Sequence, residues 1–222
     1  MNKDQKFYNL GSGWLSANGF GLFGSKPQFS CADADFKYPD LEEYIAELPS
    51  RFGRFDVYTK IGFGAAVLAL KDAGRLQREG KKNFGIVVGS SSGVYDNDLS
   101  YFKSTLDEKG AFTSPNLFSY TLPNVALGEI AVFFNFIGPT FCVGNDPENP
   151  GLEAMDAALS MLESKICDSI LVGWVEVSQN IENSKNLPKG AAFALITSVK
   201  NGKAKAEYSF NQDFRFRQLF KD

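Results

Sequence analysis

Histidine is absent from the chain. Within these residues that excludes every mechanism needing an imidazole, Ser-His-Asp and Cys-His catalysis among them, and any His-ligated metal site. No metal and no cofactor is expected. Cysteine is scarce: Cys31, Cys142 and Cys167 lie far apart and form no CxxC pair. An odd count, with a polar start (MNKDQKF) and no apolar leader after it, points to a reducing cytoplasm. Long apolar runs are missing too. Val125 to Ile137 is the most apolar stretch, and it contains Glu129 and Asn135. It is too short to span a bilayer and reads as a buried helix. Positive charge is not in excess: 23 Lys and Arg stand against 26 Asp and Glu. The basic pairs Arg51/Arg54, Lys81/Lys82 and Arg215/Arg217 form no stripe, so nucleic acid is not an expected partner.

What is present is an ordinary globular composition, 44 % hydrophobic, enough to bury a core. Phe7 to Leu10 predicts a first strand, and the glycine-rich Gly11 to Gly24 a loop. Leu41 to Leu48 predicts a short helix. Asp56 to Ala73 predicts a long helix, apolar nearly all round and therefore buried on more than one face, with Gly74 at its C-terminal cap. FGIVV, Phe84 to Val88, has the pattern of a buried strand. Helices are expected over Leu99 to Leu106 and over Asn124 to Phe136, the latter stopped by Gly138-Pro139. Thr140 to Val143 follows as a strand. Gly151 to Ile166 is a helix with Leu152, Met155, Leu159, Leu162 and Ile166 inward. Ser169 to Val177 and Ala191 to Thr197 are strands. Asn201-Gly202 signals a hairpin into Ala204 to Phe210. This order predicts an α/β fold, a mixed and mostly parallel sheet packed by buried helices, with residues 1–222 as one domain.

Three places invite chemistry. Gly89-Ser90-Ser91-Ser92-Gly93 fits G-x-S-x-G after a strand, the form of a nucleophile elbow. It has no imidazole base to serve it and lacks the GK[ST] ending of a phosphate loop, so a small-residue loop accounts for it. Cys142 sits between Phe141 and Val143 and reads as a small core residue, because a reactive thiol needs a cation or a helix N-terminus beside it. The third place is the polar elbow between strand 140–143 and the helix that follows, Asp146-Pro147-Glu148-Asn149-Pro150. Asp or Asn at a cap, Pro in a first turn and an acid near the positive helix end all favour helix initiation. That accounts for these residues without general acid–base work by Asp146 or Glu148.

Taken in order, several segments resemble the N-terminal half of the β-ketoacyl synthases, proteins of the thiolase fold. RFGRFDVYTKIGFGAAVLALKDAG, Arg51 to Gly74, is similar to the segment around their first long helix. FGIVVGSSSGVY is similar to the next strand and loop. SPNLFSYTLPNVALGEIAVFFNFIGPTFCV, Ser114 to Val143, carries the P-N before a small-residue helix and the terminal G-P. AALSMLESKICDSILVGWVE and KGAAFALITS resemble the buried helix with its strand and the strand closing the first half. Counting from Gly138-Pro139, the family's nucleophilic cysteine falls on Pro147. The resemblance places the two histidines of the family's chemistry in its second half. A proline has no nucleophilic group, and carboxylates nearby would raise a thiol's pKa.

The resemblance therefore implies no catalytic residue here. It implies a chain-length-factor-like partner in fatty-acid or polyketide-type synthesis, of the aryl-polyene or flexirubin pigment kind. Two alternatives stand beside it. One is a β-ketoacyl synthase subunit, an acyltransferase, completed in trans by another chain. The other is a stand-alone homodimer that binds an acyl thioester or a carrier protein. The expected partners are a second copy or an active ketosynthase subunit, with an acyl carrier protein as a further one. The family's pairing edge corresponds to Thr140, Phe141, Cys142 and Val143. Phe214, Phe216, Leu219 and Phe220 fit either a surface to be covered or a core.

Overall fold

The computed structural model describes residues 5–32, 35–106, 110–111, 113–178, 187–200 and 202–220. Their strands form one seven-stranded sheet in the order β2-β1-β6-β5-β3-β4, with β7 also on β1. The strands are β1 (Gln5–Ser16), β2 (Gly19–Leu22), β3 (Phe84–Gly89), β4 (Thr140–Val143), β5 (Ser169–Glu176), β6 (Gly190–Thr197) and β7 (Ala206–Phe210). The helices are α1 (Val57–Asp72), α2 (Tyr95–Leu106), α3 (Pro115–Ser119), α4 (Asn124–Phe134) and α5 (Leu152–Glu163). The sheet is mixed. It is parallel through β5, β3 and β4 and antiparallel from β5 outward through β6, β1 and β2.

β5 and β6 are buried at every position, so alternate residues feed two cores. Leu171, Val175, Phe193 and Leu195 face α1 and α4. Ile170, Val172, Trp174, Ala192 and Ile196 face α5 and the C-terminal tail. Twelve residues of α1 are buried, as its apolar circumference predicts. Asp56 caps its start by accepting from Thr59 N at 2.9 Å. At its end the Arg75 and Gly74 N–H groups donate to Leu70 and Lys71, with Gly74 at φ +64°.

Several expectations need correction. Gly11 to Gly24 is not a loop: its first half completes β1 and the rest contains β2. A Cβ on Gly11 would lie 2.3 Å from Ala73 N, and one on Gly13 2.4 Å from Ala69 N. These glycines let α1 lie directly on the strand, a use that composition cannot distinguish from a turn. Leu41 to Leu48 shrinks to a 3-10 turn, Leu41–Glu43. α4 ends before Gly138-Pro139, at Asn135, which takes a left-handed conformation while Phe136 N donates to Ala131 O. α5 ends at Glu163, and Ile166 is 51 % exposed instead of facing inward. The predicted hairpin does not form. β7 pairs with β1, because β5 and β1 already occupy both edges of β6; Asn201 lies outside the described residues. α3, unforeseen in the sequence, has Ser114 as its cap and Pro115 in its first turn.

The phenylalanine-rich tail is core. Phe214, Phe216, Leu219 and Phe220 are 0–2 % exposed. Their backbone is tied to β1: buried Asn9 and Ser12 both donate to Leu219 O, at 2.8 and 2.6 Å.

Candidate functional site

The parallel strands β5, β3 and β4 end side by side, the place where α/β folds present ligand-binding loops. Three segments meet there: Ser90 to Gly93 after β3, the elbow after β4, and Glu176 at the end of β5. Glu176 is buried at 1 % exposure. Its carboxylate accepts from Ser91 N, from Ser92 N at 3.2 Å, from Ser92 Oγ at 2.6 Å and from Asn145 Nδ2 at 3.2 Å. Asn145 in turn accepts Gly151 N at 2.7 Å, and its carbonyl accepts Ser91 Oγ at 2.9 Å. A Cβ on Gly89 would sit 2.8 Å from Asn145 Oδ1, so only glycine leaves this side chain its place. The serine loop is thus a clasp between strand ends. Neither Glu176 nor Asn145 stood out in the sequence. A buried carboxylate at the end of an all-apolar strand was the available signal, since such a group must find several donors.

The elbow is held as a turn. Asp146 Oδ1 accepts Glu148 N at 2.9 Å, and Glu153 reaches back to accept Asp146 N at 3.1 Å. Pro147 and Glu148 are exposed. The residue preceding α5 is Gly151 at φ +88°, so neither Asp nor Asn caps this helix directly. A Cβ at Gly151 would meet the Phe216 ring at 2.8 Å. Asn149, also buried, donates to Phe214 O at 3.3 Å. The tail therefore lies against the elbow, and between them is a cavity of about 310 Å³ lined in part by Pro147, Trp174, Phe216 and Phe220.

Thr140, Phe141, Cys142 and Val143 form the outermost strand at one end of the sheet. Phe141 and Val143 pack toward α5, and Cys142 toward α1 and α4. Asn124 Oδ1 accepts the Cys142 N–H at 3.1 Å, occupying one donor on the open edge. Burial pushes the Cys142 thiol up to about 11, although the Tyr58 hydroxyl beside it works in the opposite direction. The thiolate is scarce until the pH nears that value, so the group is inert at neutral pH. Iodoacetamide at pH 8 should modify exposed Cys31 and leave Cys142 untouched, with Cys142 labelling only above about pH 10. Peptide mapping of the alkylated protein reads this out; rapid Cys142 labelling at pH 8 would contradict it.

No helix among the described residues is long and apolar enough to cross a membrane. None of the curated proteins compared matches the chain. Solved structures do. The ishigamide ketosynthase/chain length factor matches with TM-score 0.57 and 19 % identity, over 71 % of this chain and 47 % of its own. A β-ketoacyl synthase from Burkholderia phymatum matches with TM-score 0.60 and 16 % identity, over 87 % and 59 %. One chain of a structure described as a type II PKS acyl-carrier protein in complex with its ketosynthase bound to the hexaketide matches with TM-score 0.65 and 17 % identity, over 87 % of this chain and 63 % of that one. At such identities they show the fold, which is thiolase-like, and the chain spans roughly half to three-fifths of their lengths. The family model for the β-ketoacyl synthase N-terminal domain matches residues 37–206, most of the sequence, and the chain belongs to that family.

Proposed function

We propose that this chain is a non-catalytic ketosynthase-like subunit that works by association in fatty-acid or polyketide-type synthesis. The observation that carries the reading is Pro147. It stands at the elbow after β4, ahead of α5, where the family's resemblance puts the nucleophile, and it offers none. The clasp through Glu176 and Asn145 keeps the elbow's shape while the chemistry is missing. One matched structure is described as a ketosynthase/chain length factor, which supports a partner role of that kind. The pigment class and the acyl substrate stay within the proposal.

Association is proposed through the β4 edge, Thr140 to Val143, against a second copy or an active ketosynthase subunit. An uncovered edge is a template for another strand. Large apolar side chains nearby in sequence support it: Phe118 and Leu122 are exposed just before α4, whose Asn124 touches this edge. A stable contact would bury on the order of 1,200–2,000 Å² in total. Light scattering on the wild type, alone and co-expressed with a ketosynthase, should show a dimer or a heteromeric complex. Phe141→Asp should abolish it. The purified chain and its Pro147→Cys variant should neither decarboxylate a malonyl thioester nor condense it. A wild type that stays monomeric at high concentration and captures no ketosynthase removes the association reading. Turnover by the pure wild type removes the non-catalytic one.

A further inference from the structure

The cavity beside Pro147 has a chemistry of its own, separate from any association at β4. Its walls come from distant parts of the chain: Phe29, Trp174, Phe216 and Phe220, with prolines 27, 147, 150 and 188 between them. Phe29 packs edge-on to Trp174 at 4.6 Å between ring centroids, so the aromatic wall is already assembled. At about 310 Å³ the space lies at the lower end for a small-molecule site.

Charge defines the occupant. Arg215 and Arg217 both line the cavity, and neither makes an ion pair among the described residues. Arg215 Nη1 donates to Gln212 O and Phe214 O at 3.2 and 2.9 Å, which fixes the guanidinium while leaving donors over. Among the described residues Glu148 is the single acidic one lining the cavity, and there the two cations outnumber it. The start of α5 lies next to Asn149 and Pro150, and the acid of its first turn, Glu153, is turned away to Asp146 N and does not line the cavity. Flat apolar walls with guanidinium groups suit a planar ring bearing a carboxylate.

We propose that this cavity binds a small planar aromatic carboxylate of one or two rings, reversibly and without covalent attachment. The tail supplies both the cations and half of the aromatic wall, so the site exists only because the tail is folded back on the elbow. Pro147 lines it without a nucleophilic atom, and the ligand is held unchanged.

The test is calorimetric titration of the full chain with 2-naphthoate and, separately, with the neutral 2-naphthalenemethanol. Saturable binding of the acid is expected, with the alcohol at least about tenfold weaker because it lacks the charge-assisted bonds. The Arg215→Ala/Arg217→Ala double variant should fold normally, both side chains being exposed, and should lose about ten- to a hundred-fold in affinity for the acid alone. Raising the salt concentration should weaken the acid and spare the alcohol. Ring protons of bound naphthoate should also show magnetisation transfer from the protein. Absence of saturable heat and of transfer at millimolar ligand would overturn the proposal. So would equal binding of acid and alcohol, or an unchanged affinity in the double variant. None of these outcomes depends on oligomeric state, so the site and the association reading stand or fall separately.

Discussion

Gly13→Val leaves no soluble folded protein. The new Cβ would fall 2.4 Å from the Ala69 nitrogen and 2.7 Å from the Ala65 carbonyl oxygen, both backbone atoms of a helix that is buried on nearly every side. Such atoms cannot swing aside as a side-chain end can. Either α1 lifts from the sheet or β1 leaves its place between β6 and the β2 and β7 edge. Overpacking of this kind costs about 3 kcal/mol or more. Single domains hold only about 5–15 kcal/mol in total, so the variant should be insoluble or molten at 37 °C. Gly53→Ala is the matched control: nothing lies within 4 Å of its added Cβ, and its stability should stay within about 0.5 kcal/mol of wild type. Urea unfolding and near-ultraviolet dichroism decide it. A well-folded Gly13→Val protein would mean that the strand and helix do not approach as described.

Glu176→Ala should be the next most damaging change, at about 3–5 kcal/mol. It strips the acceptor from two backbone N–H groups, a serine hydroxyl and the Asn145 amide at once, in a place closed to water. Glu176→Gln should lose less, because one oxygen remains to accept while the new amide faces other donors. The damage should be local first. Amides of the serine loop and of residues 144–151 should exchange faster than those of β6. A fall of under about 1 kcal/mol in the urea-derived stability of Glu176→Ala would show that the carboxylate does not hold the strand ends together.

Much of this architecture was legible because it rests on periodicity. The largely apolar strands at 84–89 and 169–176, the helix from Val57 and the small-residue helix before Gly138-Pro139 each announce themselves by pattern. The elbow was legible by its position, since Pro147 is counted from a Gly-Pro pair. What escaped was contact between distant residues. Gly11 and Gly13 looked like loop because close backbone packing and turn formation both require the missing side chain. Asn201-Gly202 looked like a hairpin because turn chemistry is local, whereas the strand partner was decided by a β1 segment nearly two hundred residues earlier. The Glu176 clasp and the tail over the elbow involve residues that carry no joint signature along the chain. The tail's phenylalanines were compatible with core or with contact surface, and only the fold could choose.

The place of β1 also governs how the chain reaches this structure. Besides the adjacent β2, its partners are β6 and β7, and its buried Asn9 and Ser12 donate to the carbonyl of Leu219, 210 and 207 positions later. The Asn9 and Ser12 side chains therefore wait for a segment some two hundred positions further on before they reach that acceptor. Closing so long a loop is costly in entropy and slow. During synthesis α1 can form before this closure, but the apolar side of β1 around Phe7 stays open until Tyr208 and Phe214 arrive to cover it. That interval is when a chaperone would find its binding surface, and when two nascent chains could exchange β1 instead of each recovering its own.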